Sequence, residues 1–476
     1  MSGRKCIASS PGLLPVVMLL VGLPALAGDW PSSRHDSANT AATRITTNPQ
    51  VLPASWTFET SSHVWGYQPG MSVWSSAAVG LVAGRVVVAV GSYDRNVYLL
   101  DACTGKKIWR YTTGAGVYGA PVIWHDQDRQ WIFVASSDRL VYGLDAELGS
   151  RQWSSEVEAY RPTLGGARLS APVVGRVKGQ AAVFVGHWVW DKSLSNNLQA
   201  SGLTALDARS GKKLWQTDFL DNRVSAPIYV DISGKGWIFV ASQDGNLRAL
   251  NADTGQLVWF HRETEMIMGS PAYFEGKIVI GSHFGKVRCL NAETGAEIWS
   301  FKTGNWVTGS AAIYRQAERV VVAVGSFDQR LYALDLESGK KLWSSPVAGP
   351  IYSSPAIVDK GETNIIFSAW DHSLHIISGR YGSLLYSIYT GSPIWDAISQ
   401  GDSNWSSPVV AKINKRWMIY FGSYNGTFYA IPLDQVEHIG PSMPWSNLSF
   451  WLGMLLAMGV SVGFGFYFSR KRRQAA

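Results

Sequence analysis

Short apolar runs broken by glycine turns recur along almost the whole chain. The unit is clearest between Ser225 and Trp259. Ser225–Val230 reads as a first strand, and Trp237–Ser242 as a nearly continuous apolar second. Asp244-Gly245 makes a tight hairpin turn, because glycine accepts positive φ at no steric cost. Leu247–Leu250 is the third strand, Thr254-Gly255 turns again, and Leu257–Trp259 opens the fourth. Four strands of this length cannot bury both faces of their sheet alone, so the unit is stable only when stacked on copies of itself.

The copies are present. The end of the second strand recurs at Gly91-Ser92, Ala135-Ser136, Gly186-His187, Ala241-Ser242, Gly281-Ser282, Gly325-Ser326, Ser368-Ala369 and Gly422-Ser423. The sites step by about 40 to 55 residues, the range of a four-stranded propeller blade. The outer turn and its tryptophan hold one spacing in Asp101 to Trp109, Asp145 to Trp153, Asp207 to Trp215, Asn251 to Trp259, Asn291 to Trp299 and Asp335 to Trp343. Ser378 to Tyr386 is a degenerate seventh. Val51–Thr57 resembles a fourth strand without its first three, whereas Trp405 to Ile431 supplies three strands without a fourth. Pairing the two closes a ring and removes an open sheet edge. The expectation is an all-β, eight-bladed propeller over 51–433, its blades docked by Trp56, Trp109, Trp153, Trp215, Trp259, Trp299 and Trp343.

In such a blade the turn after the second strand and the linker into the first share one face of the ring, here face one. The other two turns share face two. Face one receives the aromatic residues Trp65, Trp74, Tyr93, Tyr118, Trp188, Phe284, Trp306, Phe327, Tyr352, Trp370, Trp395, Trp405 and Tyr424, with His187. It also receives the long connections and an insertion over 192–201 in blade three. Face two receives the lysine pairs Lys106-Lys107, Lys212-Lys213 and Lys340-Lys341, with Arg176, Lys178, Lys415 and Arg416. Function sits on loops held by a rigid scaffold, so the binding surface is placed on face one. Its contact residues are expected to be Trp74, Tyr93, Tyr118, His187, Trp188, Phe327, Tyr352, Trp370, Trp405 and Tyr424; packing between blades is the competing role for these rings.

The ends are not part of the ring. Arg4-Lys5, the apolar run Leu13–Leu23 and Ala25-Leu26-Ala27 form a secretory signal peptide over 1–27. An irregular lead-in follows over 28–50. A linker over 434–447 leads to an uncharged stretch over 448–468, long enough to cross a bilayer as a helix. The basic tail over 469–476 then places the C-terminus in the cytoplasm and the ring in the periplasm or outside the cell. A removable C-terminal sorting tag has the same outline. Arg4, Lys5 and Arg470–Arg473 supply most of the formal charge of +7, so the basic balance reflects targeting and gives no support to nucleic-acid binding. Of the three cysteines, Cys6 leaves with the signal peptide, and Cys103 and Cys289 lie with three blades between them, too far for a disulfide.

The blade motif, Ala-x-Asp-x-x-Thr-Gly-x-x-x-Trp with small departures, resembles the docking repeat of the pyrroloquinoline quinone (PQQ) propeller superfamily. Asn251 to Trp259 and Asn291 to Trp299 match it closely. The resemblance covers about 51–433 and implies one of two functions. One is a cofactor-free scaffold similar to the propeller subunit of the outer-membrane β-barrel assembly machinery, binding an envelope protein or polymer. The alternative is a PQQ- and calcium-dependent alcohol or sugar dehydrogenase. The chain has no adjacent cysteines, and its face-one acids Asp94, Asp138, Asp244 and Asp328 all occupy one turn position, which suits hairpin turns better than calcium ligation. His187, His283 and His372 fall on alternate blades, too dispersed for a metal centre. The scaffold reading is adopted, with no catalytic residue, metal or cofactor assigned.

Overall fold

The computed structural model describes residues 42–45, 54–60, 73, 75–126, 129–157, 165–191, 199–219, 223–263, 265–371, 373–389, 406–422 and 426–439. They form eight predominantly antiparallel sheets, arranged as the blades of a ring. Blade four shows the pattern: Ile228–Ile232, Lys235–Ala241, Asn246–Asn251 and Leu257–Arg262 pair in that order from the channel outward. The first strand starts later than the sequence suggests. Ser225 instead turns its hydroxyl onto the Ala241 backbone N–H at 3.1 Å, and Pro227 has no N–H to offer a ladder.

The second strand is apolar throughout because both its faces are covered. Phe239 and Ala241 pack with Ile278, Ile280 and Leu290 of blade five. Ile238 and Val240 pack with Phe184, Leu203 and Ala205 of blade three. Each blade therefore completes its neighbour's core, which is why the repeat cannot stand alone.

The tryptophans dock adjacent blades by one geometry. In the outer hairpin a bulge shifts the register just before each one, as between Ala249 and Leu250 opposite Trp259 and Leu257. The indole Nε1–H then donates to a turn carbonyl on the next blade. Trp109 reaches the Ala146 oxygen at 2.9 Å, Trp215 reaches Ala252 at 2.9 Å, and Trp259 reaches Ala292 at 3.1 Å. Trp153, Trp299 and Trp343 bond Ala208, Leu336 and Gly379 in the same way. The ring lies flat on the glycine of that turn. At Gly295 (φ +71°) a Cβ would come within 2.6 Å of Trp259. Glycine is thus required twice over, for its left-handed backbone and for the space.

Closure follows the same rule. Trp56–Glu59 pairs antiparallel with Thr427–Ala430 as the outer strand of blade eight, and Trp56 Nε1 donates to the Ala102 oxygen of blade one at 3.0 Å. The buried Tyr420 hydroxyl donates to the same oxygen at 3.0 Å. The closing strand begins at Trp56, later than the expected Val51.

Two features were not expected. Ala42–Ile45, within the stretch read as an irregular lead-in, is a strand. It pairs parallel with Val410–Ile413, the innermost strand of blade eight, and also meets the inner strands of blades seven and one. It therefore lies inside the channel, with Ala42 at its face-one end. The C-terminal side ends in a short helix, Leu433–Ile439, on face two. Cys103 and Cys289 are both free thiols. No helix among the described residues is long and apolar enough to cross a membrane. The signal peptide over 1–27 and the stretch over 448–468 lie outside the described residues.

Candidate functional site

Each blade meets the channel mouth through the segment leading into its inner strand. Among the described residues, one position of that segment is occupied by Tyr118, Leu169, Val224, Met268, Thr308 and Tyr352, each followed by two small residues. The small pair lets adjacent segments touch: a Cβ on Gly309 would meet the Ser353 carbonyl oxygen at 2.8 Å. Serines stitch half of this rim together. The backbone N–H groups of Ser270, Ser310, Ser354 and Ser407 donate to the hydroxyls of Ser310, Ser354, Ser407 and Ser76 at 2.9 to 3.1 Å. The facing half is apolar, with Ala120, Ala171 and Ala226 in mutual contact.

Above the serine-stitched rim, side chains from blades five, six and seven converge. The His283 ring stacks on Trp306, with centroids 4.8 Å apart and planes 6° from parallel. Trp306 meets Phe327 at 5.3 Å. Phe327 presents edge contacts to Tyr352 at 5.4 Å and to Trp370 at 5.3 Å. The Tyr352 hydroxyl lies 3.9 Å from the Met268 sulfur, which His283 Nε2 also touches, so the chain of contacts closes on itself. Burial holds the His283 pKa below its ordinary value and keeps the ring neutral near pH 7. The outer side is open to solvent: Trp306 is 44% exposed and Phe284 58%.

A second group lies on blades one to three. Tyr93 packs edge-on against Tyr118 with centroids 5.3 Å apart, and the Arg168 guanidinium lies 4.6 Å from the Tyr118 ring centroid. Burial raises the Tyr118 hydroxyl well above the usual tyrosine range, against the pull of Arg168. Arg223, leading into blade four, links the groups. Burial lowers its pKa most, the Arg168 charge lowers it further, and Tyr352 opposes both. The mouth thus combines aromatic faces with two mutually repelling, half-buried guanidinium groups. The two guanidinium charges oppose a further cation and favour an anionic group.

The face-one aspartates do not share in it. Asp94 accepts the Tyr98 hydroxyl at 2.5 Å and the Asn96 N–H at 3.0 Å. Asp138 and Asp328 accept Tyr142 and Tyr332 hydroxyls and also cap Gly114 and Gly304 N–H groups, all at 2.6 Å. Asp244 pairs with Arg248 at 2.6 Å, and Asp371 with His375 at 2.8 Å. The carboxylates serve their own turns and strands and, for Asp138 and Asp328, the linker that leaves the preceding blade as well. Among the described residues no three His, Cys, Asp or Glu side chains converge as metal ligands.

Of the residues expected to form the binding surface, Tyr93, Tyr118, Phe327, Tyr352 and Trp370 lie at the mouth. Trp74, Trp405 and Tyr424 fall outside the described residues, as does His372. His187 and Trp188 are instead buried, at 2% and 4% exposed. The second strand of blade three does not turn after Gly186 but runs on to Asp191, paired with Gln199–Asp207. His187 consequently lies across Gly202, with Nε2 3.7 Å from Asp218 Oδ1 on the next strand, and this contact lowers the Asp218 pKa. The sequence reading placed Trp306 and His283 on face one without counting them among the contact residues, and it left out Met268. Met268 was findable, because it holds the same position as Tyr118 and Tyr352.

A family model described as outer membrane protein assembly factor BamB matches residues 55–238, 199–273 and 243–448. The chain belongs to this BamB family of PQQ-like propellers. The solved BamB from Moraxella catarrhalis superposes with a TM-score of 0.53 at 16% identity, over 80% of this chain and 99% of that one. Quinohemoprotein alcohol dehydrogenase from Comamonas testosteroni gives 0.51 at 14% identity, over 72% and 77%. At such identities the likeness shows the fold alone. The quinoprotein alcohol dehydrogenase PedH of Pseudomonas putida is 36% identical over 90 residues, and quinohemoprotein alcohol dehydrogenase ADH IIB of the same species 32% identical over 101 residues. Those segments are 17% and 19% of this chain, and the chain spans only 15% of the length of either relative.

Proposed function

We propose that this BamB-family chain is a membrane-anchored extracytoplasmic scaffold that binds an envelope protein or polymer through the face-one mouth. The observation that carries the reading is the Met268–His283–Trp306–Phe327–Tyr352–Trp370 cluster. It is drawn from three blades, braced from below by the serine rim, and open at Trp306. Rigid aromatic anchors of this kind dominate binding energy at protein interfaces. The anchor is supported by the composition of 448–468 and Arg470–Arg473, and secretion by the pattern over 1–27. The helix Leu433–Ile439 leaves the ring on face two, which favours face one as the side turned away from the bilayer. The spent aspartates favour a scaffold over a calcium- and PQQ-dependent dehydrogenase.

The test is photo-crosslinking in intact cells from Phe284 on face one and from Leu148 on face two, both well exposed. A discrete adduct is expected from Phe284 only, and Trp306→Ala should abolish it without shifting the melting temperature. Equal adducts from both faces would refute the assignment. So would calcium-dependent, dye-linked oxidation of alcohols or sugars by protein supplied with PQQ.

A further inference from the structure

Face two carries a cleft of about 540 Å³ between blades seven and eight, lined by Lys360, Lys412, Lys415, Arg416, Trp417 and the helix residues Leu433 and Asp434. Among the described residues four cations line it against two carboxylates, since Asp359 is also at the wall, and Glu362 acts on Lys360 from nearby. Both carboxylates have local partners. Asp434 takes the Arg416 Nε–H at 2.9 Å from each oxygen, and Asp359 accepts the Gly361 N–H at 3.2 Å. Lys360 is exposed; desolvation lowers its pKa and the Glu362 carboxylate opposes the shift. Lys412 holds its ammonium 5.8 Å from the Trp417 ring centroid. The Trp417 Nε1–H, at the buried wall, has no hydrogen-bond partner among the described residues.

A second face-two cleft shows what an ordinary one looks like. Between blades two and three, about 600 Å³ is lined by Arg176 and Arg209 against Asp126 and Asp207, and the Arg209–Asp126 pair is bidentate. That cleft is balanced, and the one at blades seven and eight is not. The unbalanced cleft also lies where the chain leaves the ring, because Leu433 and Asp434, at the start of the helix Leu433–Ile439, line it. Eight residues, 440–447, separate that helix from the uncharged stretch over 448–468. Fully extended, they span about 27 Å at most, which bounds how far the cleft can sit from the surface that the stretch would enter.

We propose that this cleft binds the phosphate headgroup of an anionic phospholipid and so seats face two on the bilayer. Lys360, Lys412 and Lys415 supply the charge, and Trp417 with Leu433 supplies an apolar wall for the glycerol. The inference rests on the membrane-anchor reading above, so the experiment separates the two. The full chain in detergent is titrated with phosphatidylglycerol or phosphatidylcholine, and retained lipids are counted by native mass spectrometry. Flotation with pure phosphatidylcholine vesicles reads the anchor independently of charge.

One phosphatidylglycerol should be retained in preference to phosphatidylcholine and displaced by excess inorganic phosphate. Lys360→Ala/Lys412→Ala should weaken its retention roughly thirtyfold, at about tenfold per 1.4 kcal/mol and about 1 kcal/mol per basic residue. Lys415→Gly, which also relieves a backbone at φ +71°, should weaken it severalfold without unfolding the ring. Arg176→Ala/Arg209→Ala, at the balanced cleft, should change nothing. Retention of phosphatidylglycerol by the lysine variants at the parental level overturns the cleft, even if flotation shows the anchor intact. Equal retention of both lipids, or phosphate binding without any lipid preference, overturns it as well. Failure to float on phosphatidylcholine overturns the anchor and leaves the retained-lipid count to judge the cleft.

Discussion

Two glycines of blade five make the docking argument measurable. Gly276 and Gly295 both have left-handed backbones, φ +80° and +71°. A Cβ on Gly276 meets nothing within 4 Å, whereas one on Gly295 lies 2.6 Å from Trp259 Cε3 and 2.8 Å from Cδ2. Gly276→Ala should therefore cost only the backbone term, about 1–2 kcal/mol. Gly295→Ala should add an overpacking term of about 1–3 kcal/mol, because the indole is pinned by its bond to the Ala292 oxygen and cannot slide away. The assay is urea unfolding of each variant, compared at equal slope so that midpoints report stability. In a Trp259→Ala background the extra cost should vanish, leaving Gly295→Ala about as costly as Gly276→Ala. Equal costs in the parent, or a gap that survives removal of Trp259, would refute the claim that these glycines are reserved for the tryptophan.

Three further outcomes follow from the structure. Trp56→Ala removes the ring-closing bond to Ala102 and contacts with Tyr420 and Phe428; it should cost about 3 kcal/mol and raise protease sensitivity, read by limited proteolysis. Gly202→Ala would place a Cβ 2.7 Å from the His187 ring and should lower the thermal midpoint by several degrees, whereas Gly84→Ala, with nothing nearby, should have a smaller effect. The folded His283 pKa is depressed below the unfolded value, so the unfolded chain takes up the proton first as pH falls below about 6.5. Stability should therefore drop between pH 7 and pH 5, and His283→Gln should flatten that profile in thermal melts.

The ring was legible because it rests on spacing. A turn glycine, a docking tryptophan and an apolar second strand each leave a mark at a fixed offset, and the half-blades at the two ends announce their own pairing. The site was less legible because convergence depends on how neighbouring blades are rotated about the channel. Trp306 and Met268 meet through His283 and Tyr352, and no local pattern states that four segments from three blades share one corner. His187 misled for a related reason. Gly186-His187 marks the end of a second strand in other blades, but here an extended partner strand carries the hairpin onward and buries what would have been a turn. Ala42–Ile45 has no alternation of its own; it is a strand only because the inner edge of blade eight offers a ladder.

That inner strand bears on how the molecule comes to exist. The Thr60 hydroxyl bonds a carbonyl 366 residues away, and Ala42–Ile45 pairs with residues equally remote. The portion synthesised first is thus the portion whose partners arrive last. Loop closure over such a length adds little to the free-energy cost, since the penalty grows only logarithmically. What it adds is delay, because distant pairings are slow to find. Until the final blade emerges, two sticky segments near the start of the chain stay unpaired, exposed to other chains in the same state. The chain is therefore vulnerable to aggregation until Val409–Ile413 and Thr427–Pro432 have emerged, and a chaperone that shields Ala42–Ile45 and Trp56–Glu59 would protect it most.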